Sequence, residues 1–161
     1  MKTSLNGMEK LMETVRILRS ENGHEWDREQ THESLKPEVI EEAVEVIGGI
    51  DILSDTGDFT NLEEELGDLL LQVVFHAQIA EEEHLFDLND IAEKAAEKMI
   101  TRHPDVFGNP MTDKNGNPVT DWEEIKRQEK KGREWEKDYL PDAFCEAEKL
   151  LQKAKKRKGI Q

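Results

Sequence analysis

Apolar residues recur at helical spacing in most of the chain. The first periodic segment predicts a helix from about Gly7 to Arg19. Its apolar positions are Met8, Leu11, Met12, Val15 and Leu18. Residues 20–30 have no such period and predict an ordered loop. A second helix is expected to have Pro37 in its first turn and to end at Gly48 and Gly49, because glycine commonly follows the last helical turn.

A third helix is predicted from Thr60 to about Glu82. It opens with Thr60-x-x-Glu63, the spacing of a capping box. Apolar residues cover much of its surface, which indicates burial on more than one side, as at the centre of a bundle or a dimer. A fourth helix is expected to begin near Asp87 or Asn89 and to stop at Pro104.

The region after Pro104 is rich in proline, glycine and asparagine and predicts a loop with a short hairpin at Asn115-Gly116. Thr120-x-x-Glu123 predicts another helix, running to about Trp135. A final helix is expected from Pro141, followed by a basic tail. The pattern therefore predicts an all-α fold, with a domain over residues 1–136 and a C-terminal helix and basic tail over residues 137–161.

Composition narrows the class of partner. The chain has 161 residues and a formal net charge of -15, with 37% charged and 35% hydrophobic residues. This low apolar content favours a core completed by a partner chain, and the acidity argues against nucleic acid or an anionic membrane as a partner. Cys145 is the only cysteine, so we expect no internal disulfide and a reducing, cytoplasmic location. No segment approaches the roughly 20 apolar residues of a membrane helix, and the first nine residues lack the long apolar run of a secretory signal.

Two pairs of carboxylates are the strongest chemical signal. Glu42 and Glu45 are three residues apart, as are Glu65 and Asp68, so each pair occupies one face of a predicted helix. If the two helices pack side by side, the four carboxylates converge and repel one another. Mg²⁺, which prefers oxygen ligands and bridges to phosphates, would relieve that repulsion. On spacing alone, two solvated acidic helix faces are about as good an interpretation.

The order of several sequence blocks resembles the MazG family of nucleoside triphosphate pyrophosphohydrolases. The resemblance extends from about Met8 to Lys130. Besides the two carboxylate pairs it includes Trp26-Asp27, Gln30-Thr31-His32, Leu69-Leu70, Arg102-His103-Pro104, Val106-Phe107 and Trp122-Glu123-Glu124-Ile125-Lys126. One departure is Gly23-His24-Glu25-Trp26-Asp27, where the family usually has Gly-Cys-Pro-Trp-Asp.

This resemblance implies an all-α bundle that forms a homodimer or a dimer of dimers. It implies hydrolysis of a nucleoside triphosphate to the monophosphate and pyrophosphate by a metal-activated water, with Mg²⁺ as cofactor and Mn²⁺ as a substitute. The metal ligands implied are Glu42, Glu45, Glu65 and Asp68. Glu41 would hold a further metal or position the attacking water. Lys98 and Arg102 would contact the phosphates, and Trp122 and Lys126 the nucleotide.

Other interpretations remain open at the level of sequence. Lys98 and Arg102 could pair with acidic neighbours, and Trp122 could anchor a core or a dimer. The basic C-terminal residues favour a solvated helix end, because cations suit a helix C-terminus. Related enzymes that hydrolyse dUTP, dCTP or phosphoribosyl-ATP use similar acidic helices, and a non-catalytic interaction module would leave the carboxylates free of metal. A di-iron bundle is disfavoured because no Glu-x-x-His motif lies at the centre of a predicted helix.

Overall fold

The computed structural model describes residues 5–108 and 110–160, and within these ranges it confirms the all-α class. The helices are α1 (Gly7–Arg19), α2 (Glu25–Glu29), α3 (Lys36–Thr56), α4 (Thr60–Glu82), α5 (Leu88–Arg102), α6 (Pro104–Phe107), α7 (Trp122–Glu129), a 3-10 helix (Glu134–Tyr139) and α8 (Leu140–Lys158). Between Thr112 and Pro118 there is an isolated antiparallel bridge, and no described residue belongs to a longer strand.

The chain divides into two compact units. The first comprises Met1–Leu88 and Cys145–Gln161, and the second comprises Asn89–Phe144. One boundary therefore follows the first residue of α5, and the other falls within α8. The sequence-based boundary between residues 136 and 137 stays a prediction.

The core of the first unit lies between α1 and α4. Val15 of α1 packs with Val74, Phe75 and Ile79 of α4, and Leu35 lies with them just before α3. Val15 and Leu35 are almost completely inaccessible to solvent. Burying an aliphatic side chain of this size contributes about 1.5–3 kcal/mol, so this cluster fixes α1 and the start of α3 against the second half of α4.

Helix α3 continues through Gly48 and Gly49, so the prediction that these glycines end it is wrong. The helix ends at Thr56, and Gly57 follows in the left-handed conformation with φ of 77°. Gly49 is buried, and a Cβ atom there would lie 2.9 Å from the Cα atom of Leu62 on α4. The absence of a side chain at Gly49 therefore allows the backbones of α3 and α4 to approach closely, and this packing outweighs the low helix propensity of glycine.

Two predicted helix caps and one predicted loop also differ from the structure. The first residue of α4 is Thr60, but the N-cap is Phe59 and no capping box forms; the Asp58 side chain instead accepts a hydrogen bond of 2.9 Å from the Thr60 backbone N–H. Short helix α2 lies inside the predicted loop 20–30. Asp121, one residue beyond the predicted Thr120, caps α7 by accepting from the Glu124 backbone N–H.

The second unit contains α5, α6 and α7 and the loop between them. The turn near Asn115-Gly116 is present. Asp113 closes it, since its side chain accepts from the backbone N–H groups of Asn115 and Asn117 at 2.8 and 2.9 Å. Helix α7 ends at Glu129, earlier than the predicted Trp135, and a turn with Gly132 at a φ of 82° separates it from the 3-10 helix.

None of the described helices is both long enough and apolar enough to cross a membrane.

Candidate metal centre

Helices α3 and α4 bring three of the four predicted ligands together. Glu42, Glu45 and Glu65 each place a carboxylate oxygen within 4.8 Å of the others. The arrangement follows from the helix pair: Glu42 and Glu45 share a face of α3, and the close contact at Gly49 sets that face against the first turns of α4. All three side chains are half-buried. We call these three residues and Asp68 the carboxylate cluster.

Asp68 lies at the exposed edge of the cluster, one turn after Glu65 on α4. It does not belong to the group within 4.8 Å. Its charge nevertheless acts on Glu42, since Asp68 is the strongest of the carboxylates that raise the pKa of that residue. Asp68 is therefore close enough to act on the cluster through its charge.

Glu42 carries the clearest sign that the cluster accepts a cation. Burial raises the pKa of Glu42, and repulsion from Asp68 and Glu65 raises it further. Its Oε2 atom is buried and has no hydrogen-bond partner among the described residues. A buried carboxylate oxygen without a partner is costly. Oxygen donors in such a group are the ligands that Mg²⁺ prefers, so the residues present fit a hard divalent cation.

Glu65 has a neutral hydrogen-bond donor beside it. The side-chain amide of Asn61 donates to Glu65 Oε1 at 2.8 Å, one turn earlier on α4. The sequence interpretation did not include Asn61, although its spacing of four residues from Glu65 places both on one face of the helix.

Glu41 is buried and pairs with the end of α8. Arg157 and Lys158 both contact its carboxylate, with Lys158 Nζ at 3.0 Å from Oε1. Burial acts to raise the pKa of Glu41, but hydrogen bonds from these two cations outweigh burial and lower it. Lys158 also contacts Glu45 of the cluster.

These contacts add ion pairs to a helix end whose basic residues are exposed to solvent, as the sequence predicted. Arg157 and Lys158 reach the acidic face of α3, whereas Lys155 and Lys156 make no ion pair with any described residue. No local pattern marks the difference, because the contact joins residues 116 positions apart.

The predicted phosphate and nucleotide residues all lie in the second unit. Lys98 and Arg102 line one cleft of about 400 Å³. Its other lining residues are Lys94, Glu97, Thr101, Glu129, Lys130 and Arg133. Lys98 makes no ion pair with any described residue, while Arg102 pairs with Glu129 at 2.6 Å.

Trp122 packs close to Arg102. The guanidinium of Arg102 lies 5.3 Å from the centre of the indole ring, a distance at which cation–π attraction is effective. The His103 ring contacts the same indole edge-on, with 5.2 Å between the ring centres. Lys126 instead pairs with Glu123 at 3.1 Å and does not line the cleft. Arg102 therefore shares a cleft with Lys98 and a contact with Trp122, and neither Trp122 nor Lys126 lines that cleft.

The pattern of the MazG nucleotide pyrophosphohydrolase domain matches residues 30–107 of the chain. This range contains the whole carboxylate cluster together with Lys98 and Arg102.

Individual relatives agree with this match. The chain is 52% identical over 122 residues to the nucleoside triphosphate pyrophosphohydrolase/pyrophosphatase MazG of Thermotoga maritima, covering 76% of this chain and 45% of that protein. It is 41% identical over 127 residues to the nucleoside triphosphate pyrophosphohydrolase of Escherichia coli K12, covering 78% of this chain and 47% of that protein. The YabN protein of Bacillus subtilis is 44% identical over 116 residues, covering 72% of this chain and 23% of that protein. The matches thus span less than half the length of each of these relatives.

Proposed function

The chain belongs to the MazG nucleotide pyrophosphohydrolase family, and from this premise we propose that it hydrolyses a nucleoside triphosphate to the monophosphate and pyrophosphate with Mg²⁺. The observation that carries the proposal is the buried, unpartnered Oε2 of Glu42 inside the carboxylate cluster. If these carboxylates only kept a helix face soluble, they would lie in water, because burying a carboxylate oxygen without a hydrogen-bond donor costs free energy.

Glu42, Glu45, Glu65 and Asp68 are the proposed metal ligands. A divalent cation held there would neutralise phosphate charge, polarise the reacting phosphorus and lower the pKa of an attacking water. The half-burial of three of these carboxylates supports the role, because partial exclusion of solvent strengthens their attraction for a cation. Glu41, next to Glu42, is proposed to hold a further metal or to position the attacking water. Arg157 and Lys158 balance its charge in this structure.

Lys98 and Arg102 are the proposed phosphate contacts. They are four residues apart on α5 and line the same cleft. Lys98 has no ion-pair partner among the described residues and is therefore available to an anion, whereas Arg102 is held in place by Glu129. Two cations at this spacing can stabilise the charge of a leaving pyrophosphate. Trp122 is proposed to stack on the base, and Lys126 to contact the nucleotide once it leaves Glu123.

We also propose that the chain works as a homodimer. Several apolar residues on α3 and α4 are exposed in the single chain: Val44, Ile47, Leu53, Leu66, Leu70 and Val73. Leu66, Leu70 and Val73 recur four and three residues apart and so share one face of α4. An exposed apolar face on the two helices that hold the carboxylate cluster would be covered by a second copy of the chain.

Product analysis tests the proposed reaction. The protein is incubated with a panel of nucleoside triphosphates, including dUTP, dCTP and ITP, with and without Mg²⁺, and the products are separated by ion exchange. Monophosphate and pyrophosphate should form only with metal, and Glu42→Gln should abolish their formation without loss of folded structure. Glu63→Gln, an exposed carboxylate in the first turn of α4, is the matched control and should keep its activity. Release of inorganic phosphate with the diphosphate, or full activity of Glu42→Gln, would contradict the proposal.

A further inference from the structure

Asn61 is the one neutral side chain that donates a hydrogen bond to the carboxylate cluster among the described residues. Its Nδ2 atom lies 2.8 Å from Glu65 Oε1. Two other carboxylates of the cluster have different surroundings: Glu45 contacts the cation of Lys158, and Oε2 of Glu42 has no hydrogen-bond partner among the described residues. Glu65 is thus the member whose orientation is set by an uncharged donor.

The contact between α3 and α4 holds Asn61 itself in place. A Cβ atom on Gly49 would lie 3.2 Å from Asn61 Oδ1 and 2.9 Å from the Cα atom of Leu62. The backbone of α3 therefore packs directly against this turn of α4. Asn61 is half-buried there, so its amide has less freedom than a side chain on a solvated face.

The chain offers an internal comparison. Asn89 donates to Glu93 Oε1 at 2.9 Å with the same spacing of four residues, but on an exposed surface of α5. Both pairs satisfy the ordinary geometry of a helix-surface hydrogen bond. Only the Asn61 pair is half-buried and ends on a member of the carboxylate cluster.

We infer that Asn61 is a positioning residue, which orients the carboxylate of Glu65 for a divalent cation; the inference rests on the proposed function. An amide donor occupies one oxygen and restricts rotation of the carboxylate. It leaves the other oxygen and the full negative charge of Glu65 for the metal. Hydrogen bonds of this kind orient metal ligands, and their loss typically weakens metal binding about 10- to 100-fold.

Binding of Mn²⁺ in the absence of nucleotide tests this role, because it requires no turnover. Isothermal titration calorimetry compares the wild type with Asn61→Ala and Asn61→Leu. The leucine variant keeps the branched shape of the side chain and removes the donor, so it serves if the alanine variant does not fold. We expect the Kd for Mn²⁺ to rise at least about tenfold in either variant. Asn89→Ala, the matched control, should leave the Kd unchanged.

Two further readouts separate the possible failures. A metal-free thermal midpoint that falls equally in Asn61→Ala and Asn89→Ala, with unchanged Kd values, would mean that Asn61 supports only the helix and would overturn the inference. If wild-type protein binds Mn²⁺ and Glu42→Gln does not, while Asn61→Ala binds normally, the inference fails and the proposed metal centre stands. If wild-type protein binds no Mn²⁺, both fail.

Discussion

Replacing Lys158 by glutamine tests whether the end of α8 competes with a metal ion for the carboxylate cluster. Lys158 Nζ lies 3.0 Å from Glu41 Oε1 and also contacts Glu45. The substitution removes a positive charge beside the cluster and frees Glu45, and both effects favour a divalent cation there. We therefore expect Lys158→Gln to bind Mg²⁺ more tightly than the wild type.

The structure sets the expected size of this effect. The Lys158 side chain is 37% exposed, while those of Glu41 and Glu45 are 9% and 31% exposed. Ion pairs with an exposed partner are worth about 0.2–1 kcal/mol. If metal binding must break the pair with Glu45, its removal lowers the Kd for Mg²⁺ by up to about fivefold. The metal-free protein should lose about 0.5–1 kcal/mol of unfolding free energy, because Glu41 keeps only Arg157 as a cationic partner.

Titration calorimetry with Mg²⁺ and urea denaturation without metal measure the two effects. The tightening should shrink at about 1 M salt, where the Debye length is about 3 Å. Lys156→Gln is the matched control, because it removes the same charge from an exposed position that makes no ion pair with any described residue. Unchanged or weaker Mg²⁺ binding in Lys158→Gln would refute the reasoning. Equal tightening in Lys156→Gln would also refute it, since the effect would then come from net charge alone.

Two further predictions concern stability. Gly49→Ala places a Cβ atom 2.9 Å from the Cα atom of Leu62 and should lower the free energy of unfolding, measured by urea denaturation, by about 1–3 kcal/mol. The added Cβ atom of Gly48→Ala meets no atom within 4 Å, so this variant should raise that free energy by up to about 1 kcal/mol. Equal effects of the two substitutions would contradict the close contact at Gly49. Burial, and then repulsion from His32, lowers the pKa of His76, so the unfolded chain binds this proton more readily and stability should fall as pH drops below about 6.5. His76→Gln should remove that part of the pH dependence between about pH 7.5 and 5.5, and an unchanged slope would contradict it.

The sequence predicted the helices well where apolar residues repeat, because that pattern reflects which face must be buried. The bounds of α1 and α4 follow from such patterns. The prediction failed at Gly48 and Gly49, where a local rule for helix ends competes with tertiary packing. The rule treats both glycines alike, but only Gly49 faces α4. A single sequence does not contain that distinction.

At the candidate site, too, the sequence predicted local spacing but not the packing between helices. Spacing placed Glu42 beside Glu45, and Glu65 beside Asp68, because three residues span one helical turn. The close grouping of Glu42, Glu45 and Glu65 depends on the antiparallel register of α3 and α4, which the helical period alone does not define. The contacts of Arg157 and Lys158 with Glu41 were not predictable from local pattern, since they depend on where α8 packs.

The cations at the end of α8 neutralise only some of the carboxylates on α3. Lys158 reaches Glu45, and both Arg157 and Lys158 reach Glu41, so these two carboxylates are compensated by the chain itself. Glu42 lies between them in sequence, yet its buried Oε2 has neither a cation nor a donor among the described residues. A side chain can supply one or two directed hydrogen bonds, whereas a divalent ion attracts several oxygens at once. The ion pairs of α8 therefore leave the charge of Glu42 uncompensated. A metal ion shared by Glu42, Glu45 and Glu65 would compensate it.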